Sequence, residues 1–246
     1  MLRKRVITVL TFNHGVLYRT KVFNPDYRYT TNFVDSWSID EIVLVDITRP
    51  EERDPNVFYS VVSEFSKKCF VPMTVGGGIR CIDDIKRYLD LGADKIVINT
   101  AALDQPTLIT AAAMKFGKQC IVVSIDARRI GSTYQVFKNC GREPINLTPW
   151  DLGAQVEQLG AGEILITSID RDGSLEGYDN DLNKLVISNV SIPVIVCGGA
   201  GKWQDFVDAF QIAGADAVAT TNVYHFTERS IVSAKQYLKQ HQIYVR

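Results

Sequence analysis

Polar side chains at the ends of β-branched runs are the residues best placed to do chemistry. Thr11 follows the run VITVL, Asp46 ends EIVLVD, Asp126 ends CIVVSID and Thr167 lies in EILITS. A carboxylate in such a position can act as a general acid or base, so Asp126 is the clearest catalytic candidate. The threonine hydroxyl of Thr11 cannot accept a proton near neutral pH. As an alternative, Asp126 caps a helix or pairs with an arginine such as Arg128.

Two sets of glycines predict phosphate binding. GGG occupies 76–78 and GG occupies 198–199, each directly after a β-branched run. Glycine lets backbone N–H groups approach an anion, and a following helix N-terminus favours negative charge. We therefore predict two phosphate cradles, although bare turn geometry is the alternative. The predicted substrate and phosphate contacts are Arg19, Asp46, Gly77, Gly78, Asn99, Thr100, Thr167, Gly173, Gly198, Gly199, Thr221 and Asn222.

A different set of charged residues lies near the opposite ends of the runs. Arg5 precedes the first run, Glu41 opens the second, Lys95 opens the fourth and Glu163 opens the sixth. Charges of both signs would then alternate around one end of the sheet. From the fold alone we expect these residues to form a stabilising ring of ion pairs, because active sites usually lie at the other end of the strands.

The elements that must position these residues form a repeating pattern. Eight short apolar runs alternate with amphipathic stretches such as IDDIKRYLDLG, PTLITAAAMKFG and WDLGAQVEQLG, which is typical of βαβ units. Residues 71–100 and 192–222 form an internal repeat. Each copy has a strand, glycines, a helix, GAD and a strand. The repeat predicts a single α/β domain over 1–246, a closed (β/α)8 TIM barrel built from two similar half-barrels. An open doubly wound sheet is the alternative.

Two long connections follow the first and fifth runs, at 13–33 and 128–150. In a barrel both would lie at the C-terminal face, where active sites form. The segment STYQVFKN in the second connection predicts a small hairpin. Long connections of this kind are commonly lids, and surface insertion is the alternative.

Composition limits the function classes. With 246 residues, 46% hydrophobic and 22% charged, and a net charge of -1, the chain has no bias toward nucleic acid or membrane. It lacks an apolar stretch of membrane-spanning length and a secretory signal, so a cytoplasmic location is predicted. Its 5 cysteines form no CxxC pair. Neither a disulfide framework nor a metal site is predicted, and no cofactor is implied.

Long motifs give the chain a specific resemblance. The stretches are TVGGGIR, GADKIVINTAA, VVSIDARR, GAGEILITSIDRDGSLEGYD and CGGAG. Over nearly its whole length the chain resembles the cyclase subunit of imidazole glycerol phosphate synthase, the ammonia-using partner of a glutamine amidotransferase. The related isomerase of histidine synthesis is similar mainly in the glycine loops. The resemblance implies a substrate with two phosphates, bound between the two cradles.

The resemblance also changes the interpretation of the charged ring. In the family, the positions matching Arg5, Glu41, Lys95 and Glu163 form the entrance for ammonia made by the docked glutaminase. It therefore implies a heterodimer in which the glutaminase covers the N-terminal face of the barrel. A sequestered route keeps ammonia from becoming ammonium, which is not a nucleophile.

The chain departs from the family at its first strand. Family cyclases end that strand with an aspartate that works with the one matching Asp126, whereas this chain has Thr11. Arg19 stands in place of the usual lysine, and Asn222 where a serine is common. Because losing a general acid or base costs about 100- to 10,000-fold in rate, the two-carboxylate mechanism is unavailable as the family has it.

The chain keeps the charged residues of the ammonia entrance but has Thr11 in place of the family's aspartate. This combination favours a relative that carries out a different reaction. The preferred hypothesis is an ammonia-dependent enzyme that forms an amidine on a sugar, as some relatives do in lipopolysaccharide or other surface-polysaccharide synthesis. Its substrate would be a phosphorylated small molecule or a sugar nucleotide. The first alternative is a true cyclase of histidine biosynthesis, making imidazole glycerol phosphate and AICAR. The second is an inactive barrel that scaffolds or regulates the glutaminase.

Overall fold

The computed structural model describes residues 3–28, 39–221 and 230–246. The strands are β1 (Arg5–Asn13), β2 (Val16–Lys21), β3 (Asn24–Arg28), β4 (Glu41–Asp46), β5 (Met73–Gly76), β6 (Lys95–Ile98), β7 (Ile121–Ile130), β8 (Thr133–Lys138), β9 (Glu143–Ile145), β10 (Glu163–Ser168), β11 (Val194–Cys197) and β12 (Ala217–Thr220). The α-helices are α1 (Pro55–Ser66), α2 (Ile82–Asp90), α3 (Thr100–Asp104), α4 (Thr107–Phe116), α5 (Pro149–Leu159), α6 (Asn180–Ile187), α7 (Trp203–Asp208) and α8 (Ser230–Gln240). No helix in these ranges is both long enough and apolar enough to cross a membrane.

Eight of the strands form a closed parallel barrel. Their order is β10, β11, β12, β1, β4, β5, β6 and β7, and pairing between β7 and β10 closes the ring. Each predicted β-branched run overlaps one of these strands. The predicted (β/α)8 barrel is therefore confirmed, and the open sheet is excluded.

The two halves of the barrel use the same local devices. In the repeated GAD motif, Asp94 accepts a hydrogen bond from the backbone N–H of Met73, and Asp216 accepts one from Val194. Each aspartate thus ties one barrel strand to the start of the strand before it. Equivalent helix caps follow the two glycine loops, where the carboxylates of Asp84 and Asp205 accept backbone N–H groups at the start of α2 and α7.

The core has two layers, one outside and one inside the barrel. The outer layer packs the helices against outward-facing strand residues, and includes Phe58, Ile85 and Phe206. The inner layer fills the barrel with Ile7, Val9, Val43, Val97, Val122, Leu165, Ile195, Ala217 and Ala219. Strands buried on both faces have continuous apolar sequences, which explains why the runs do not alternate.

Both long connections extend the sheet at the C-terminal face. β1 continues beyond the barrel and pairs antiparallel with β2, which pairs with β3. In the second connection β7 pairs with β8, and β8 with β9, so the hairpin predicted from STYQVFKN is confirmed. The β2–β3 hairpin was not predicted. Residues 29–33 of the first connection lie outside the described residues.

Candidate active site

A cavity of about 580 Å³ opens at the C-terminal end of the barrel. Its lining includes Val9, Val97 and Leu165, which also belong to the apolar layer that fills the barrel. Its wall brings together residues from both halves that the sequence predicts to be functional. These are Thr11, Asp46, Gly77, Gly78, Asn99, Thr100, Asp126, Thr167 and Thr221.

Asp126 is a buried carboxyl group on β7 at the edge of the cavity. Burial, together with the nearby charge of Asp172, raises its pKa from the ordinary value of 3.8 to about 7. Hydrogen bonds from Ser124 Oγ at 3.2 Å and Asn99 Nδ2 at 3.1 Å oppose that rise only in part. Arg128 forms its ion pair with Asp170 instead, at 3.2 Å. Asp126 can therefore take up and release a proton near neutral pH.

Thr11 lies in the same cavity, but its hydroxyl group is engaged in the sheet. Thr11 Oγ1 donates a hydrogen bond to the backbone oxygen of Tyr18 at 2.5 Å, across the β1–β2 pair. The hydroxyl thus secures the base of the β2–β3 hairpin. It has no ionisable proton near neutral pH, so it cannot replace a carboxylate as acid or base.

Asp46 is held in place by Arg53, a residue that no sequence motif predicted. The carboxylate forms an ion pair with Arg53, Nε to Oδ2 at 2.9 Å, and accepts the backbone N–H of Thr48 at 2.9 Å. Arg53 Nη2 also donates to the backbone oxygen of Asp46 at 3.2 Å. Arg53 lines the cavity, where it adds a positive charge beside the first glycine loop. Arg53 lies in a polar segment after β4, where no periodic pattern of apolar residues predicts which way a side chain points.

The glycines of the first predicted cradle, Gly77 and Gly78, line the cavity. Gly77 and Gly78 have φ values of 108° and 73°, and a Cβ atom on Gly77 would lie 2.4 Å from the backbone oxygen of Asp46. A Cβ atom on Gly78 would lie 2.6 Å from Nη1 of Arg53. At Gly77 only glycine fits both the backbone conformation and the space, and at Gly78 the positive φ favours glycine. Asn99 lies beside these glycines in the cavity wall, just before α3.

The second predicted cradle is arranged differently. Gly173, Gly198 and Gly199 are not among the described residues of the cavity wall. They pack against neighbouring loops: a Cβ atom on Gly199 would lie 2.2 Å from the backbone oxygen of Gly177, and one on Gly173 would lie 2.4 Å from that of Thr20. A Cβ atom on Gly198 would lie 2.7 Å from the backbone oxygen of Ser168. Thr221 reaches the cavity from this half, and Asn222 lies outside the described residues.

Arg19 does not belong to the described cavity wall either. It lies on β2, where its guanidinium forms an ion pair with Asp26 of β3. This pair links the two strands of the hairpin.

A second buried carboxyl group, Asp172, lines the cavity. Its Oδ1 accepts a hydrogen bond from Thr20 Oγ1 at 3.0 Å, and its Oδ2 accepts the backbone N–H of Phe23 at 2.9 Å. Burial raises its pKa above the ordinary value, although these two hydrogen bonds oppose the rise. In the sequence it appears only as the first residue of an Asp-Gly pair, which is typical of a turn, so its role in the site was missed.

At the opposite end of the barrel, four charged side chains form a connected network, which we call the floor ring: Arg5, Glu41, Lys95 and Glu163. Arg5 Nη1 donates to both carboxylate oxygens of Glu41 at 3.0 Å, and Arg5 also pairs with Glu163. Lys95 Nζ contacts Glu41 at 3.2 Å and Glu163 at 3.0 Å. Burial favours a neutral Glu41, but the two cations outweigh it and hold the pKa of Glu41 below its usual range. The predicted ion-pair ring is confirmed.

Comparison with known proteins agrees with this architecture. A family model described as "Histidine biosynthesis protein" matches residues 8–230. The imidazole glycerol phosphate synthase subunit HisF of Dehalococcoides mccartyi strain 195 is 43% identical over 252 residues, covering 100% of this chain and 99% of that protein. The subunit of the same name from a Hydrogenobaculum species is 42% identical over 253 residues, covering 100% of both chains. The chain therefore belongs to the histidine biosynthesis protein family and, within it, to the HisF subunits of imidazole glycerol phosphate synthase.

Proposed function

We propose that this chain is the ammonia-using cyclase subunit of imidazole glycerol phosphate synthase. It would convert a bis-phosphorylated imidazole precursor into imidazole glycerol phosphate and AICAR. The observation that carries the proposal is Asp126, a buried carboxyl group with a pKa near 7 in a cavity that also contains a glycine cradle. The names of the full-length relatives favour this histidine-biosynthesis reaction over the sugar-amidine hypothesis drawn from Thr11.

The cavity provides the groups that such a reaction requires. Backbone N–H groups at Gly77 and Gly78 and the side chains of Asn99 and Thr100 would hold one phosphate of the substrate. The reacting part would then lie over Asp126. Near neutral pH Asp126 is present in both protonation states, so it could accept a proton from the attacking nitrogen and return it in a later step.

Ammonia would reach the cavity from the opposite end of the barrel. The floor ring surrounds the barrel axis at the N-terminal end of the strands, and the apolar layer between it and the cavity would favour neutral ammonia over ammonium. We therefore propose that a glutamine amidotransferase docks on this face as a heterodimer partner. Two members of the ring, Glu41 and Glu163, are buried carboxylates that lie where ammonia would enter.

A second candidate function is supported by Thr11. Position 11 carries a threonine, whose hydroxyl donates to the backbone oxygen of Tyr18, so the site has no carboxyl group at this position. Forming an amidine from ammonia and an acetamido group of a sugar nucleotide needs delivery and polarisation, without ring closure. The retained floor ring and first cradle are compatible with such an acceptor.

The deciding experiment is turnover of the bis-phosphorylated precursor by the purified chain with saturating ammonium salt at high pH. Free ammonia removes the need for the partner. We expect imidazole glycerol phosphate to form, and the Asp126→Asn variant to lose about 100-fold or more in kcat. Absence of product from a chain that still binds the precursor in calorimetry would refute the cyclase. Acetamido sugar nucleotides would then be tested as acceptors.

The unaltered chain and the Asp126→Asn variant also test whether the barrel is only a scaffold. If the complex with the glutaminase kept full activity with Asp126→Asn, the barrel would not supply the chemistry. A Thr11→Asp variant is the matched gain-of-function control. If it turns over the precursor while the unaltered chain does not, threonine at position 11 is the cause of the lost ring closure.

A further inference from the structure

Asp172 places a second carboxyl group in the cavity beside Asp126. Asp126 and Asp172 enter the cavity from different elements, the first from β7 and the second from the loop after β10. Their charges interact, since Asp172 contributes to the raised pKa of Asp126. Burial raises the pKa of the Cys197 thiol to about 12, and the charges of Asp172 and Asp126 add to the rise, so this thiol stays neutral.

Strand β2 connects Asp172 to the position of Thr11. The backbone oxygen of Tyr18 accepts the hydroxyl of Thr11, and Thr20, two residues further along β2, donates its hydroxyl to Asp172. Two residues of a strand span roughly 7 Å. Asp172 and Thr11 therefore lie on the same side of the cavity, next to the same short piece of strand.

We propose that Asp172 supplies the second carboxyl group of the active site and forms, with Asp126, the proton-transfer pair that Thr11 cannot complete. This inference rests on the proposed cyclase function. Each oxygen of the Asp172 carboxylate accepts one hydrogen bond from β2 or the turn after it. A carboxylate oxygen has two lone-pair sites, so each retains one for a substrate atom.

Two carboxyl groups with one shared proton satisfy the proton balance of a substitution by ammonia. When ammonia replaces a leaving group X on carbon, nitrogen forms the C–N bond and loses one proton, while the C–X electron pair departs with X, which gains one. The ionised carboxylate takes the proton from nitrogen and the protonated partner gives its proton to X. The pair then again holds one proton, on the opposite member. Like charges in a shared buried site disfavour double ionisation, which favours this one-proton state.

The experiment compares four chains with ammonium salt: the unaltered protein, Asp172→Asn, Thr11→Asp and the double variant. We expect Asp172→Asn to lower kcat by about 100-fold or more, with the calorimetric Kd for the precursor changed by less than threefold. The double variant should have a kcat at least tenfold higher than that of Asp172→Asn, because Thr11→Asp returns a carboxyl group to that side of the cavity. A smaller loss in Asp172→Asn, or a double variant no faster than Asp172→Asn, would overturn the inference.

Asp172 also fastens the β2–β3 hairpin, so a purely structural role needs its own control. Thr20→Val deletes the hydrogen bond from Thr20 to Oδ1 but keeps the carboxyl group. We expect its kcat to exceed that of Asp172→Asn by at least tenfold. An equal loss in the two variants would assign the effect to the hairpin and overturn the inference.

A titration separates this inference from the proposed function. Carbon-13 NMR of the labelled aspartates follows the Asp126 carboxyl in the unaltered chain and in Asp172→Asn, without turnover. We expect the pKa of Asp126 to fall in the variant; an unchanged value contradicts the pair. If no chain turns over the precursor, the cyclase function fails and the inference falls with it. Turnover by the unaltered chain with no loss in Asp172→Asn refutes the inference alone.

Discussion

Replacing Asp126 by asparagine should stabilise the protein while it abolishes proton transfer. The amide is nearly isosteric with the carboxyl group and can keep its two hydrogen bonds. Its oxygen accepts from Asn99 Nδ2, and its nitrogen donates to Ser124 Oγ, which changes from donor to acceptor. The variant therefore removes the buried ionisable group while both of these hydrogen-bonded contacts are kept.

The size of the effect follows from the pKa of Asp126. Folding raises this pKa from about 3.8 to about 7, and each pKa unit corresponds to about 1.4 kcal/mol. The folded state binds more protons than the unfolded state between these values, so stability falls as the pH rises through them. At pH 8 titration of Asp126 should have lowered the free energy of unfolding of the unaltered chain by about 4 kcal/mol. The Asp126→Asn variant has no such loss.

Denaturant unfolding at pH 4, 5, 6, 7 and 8 measures this difference. The free energy of unfolding of Asp126→Asn minus that of the unaltered chain should grow steadily and level off above pH 7. Taking the difference cancels the titrating groups that do not interact with Asp126. Asp170→Asn, which changes an exposed carboxylate paired with Arg128, is the matched control and should give a much flatter difference. Parallel stability curves for Asp126→Asn and the unaltered chain would refute the buried-carboxyl argument.

Four further substitutions test other parts of the structure. Lys95→Met removes a cation that bridges both carboxylates of the floor ring, and should lower the free energy of unfolding at pH 7 by about 3 kcal/mol in urea. Arg53→Met leaves Asp46 as a buried unpaired charge and should cost a similar amount, about 3 kcal/mol, by the same measurement. Gly77→Ala places a Cβ atom 2.4 Å from the backbone oxygen of Asp46, so we expect the calorimetric Kd for the precursor to rise at least tenfold. Thr11→Val deletes the hydrogen bond to β2 and should lower stability by about 1 kcal/mol in thermal unfolding.

Specific outcomes would contradict these four predictions. Unchanged stability of Lys95→Met would mean that the floor ring contributes nothing net to folding. Unchanged stability of Arg53→Met would mean that Asp46 finds another partner or becomes protonated. Normal precursor binding by Gly77→Ala would remove the first cradle from the substrate site. A Thr11→Val variant as stable as the unaltered chain would show that the hydroxyl does not hold the hairpin.

The sequence by itself determined the barrel and the residues at its two ends. β-branched runs buried on both faces, separated by amphipathic helices and repeated in register, leave few arrangements other than a closed (β/α)8 barrel. Because parallel strands point the same way, residues that open runs must share one end and residues that close them the other. That local rule was enough to predict both the floor ring and the grouping of Thr11, Asp126 and Thr167 around one cavity.

Only the tertiary structure decided what each polar residue contacts. Arg53 reaches Asp46 from the segment after β4, and Asp172 reaches β2 from a loop 152 positions away in sequence. Such pairings depend on how loops fold over the barrel, and no periodic pattern encodes that. The raised pKa of Asp126 has the same origin, because burial is set by everything packed around a group. The sequence predicted the position of this carboxyl group, and the residues packed around it set the pH range in which it gains and loses a proton.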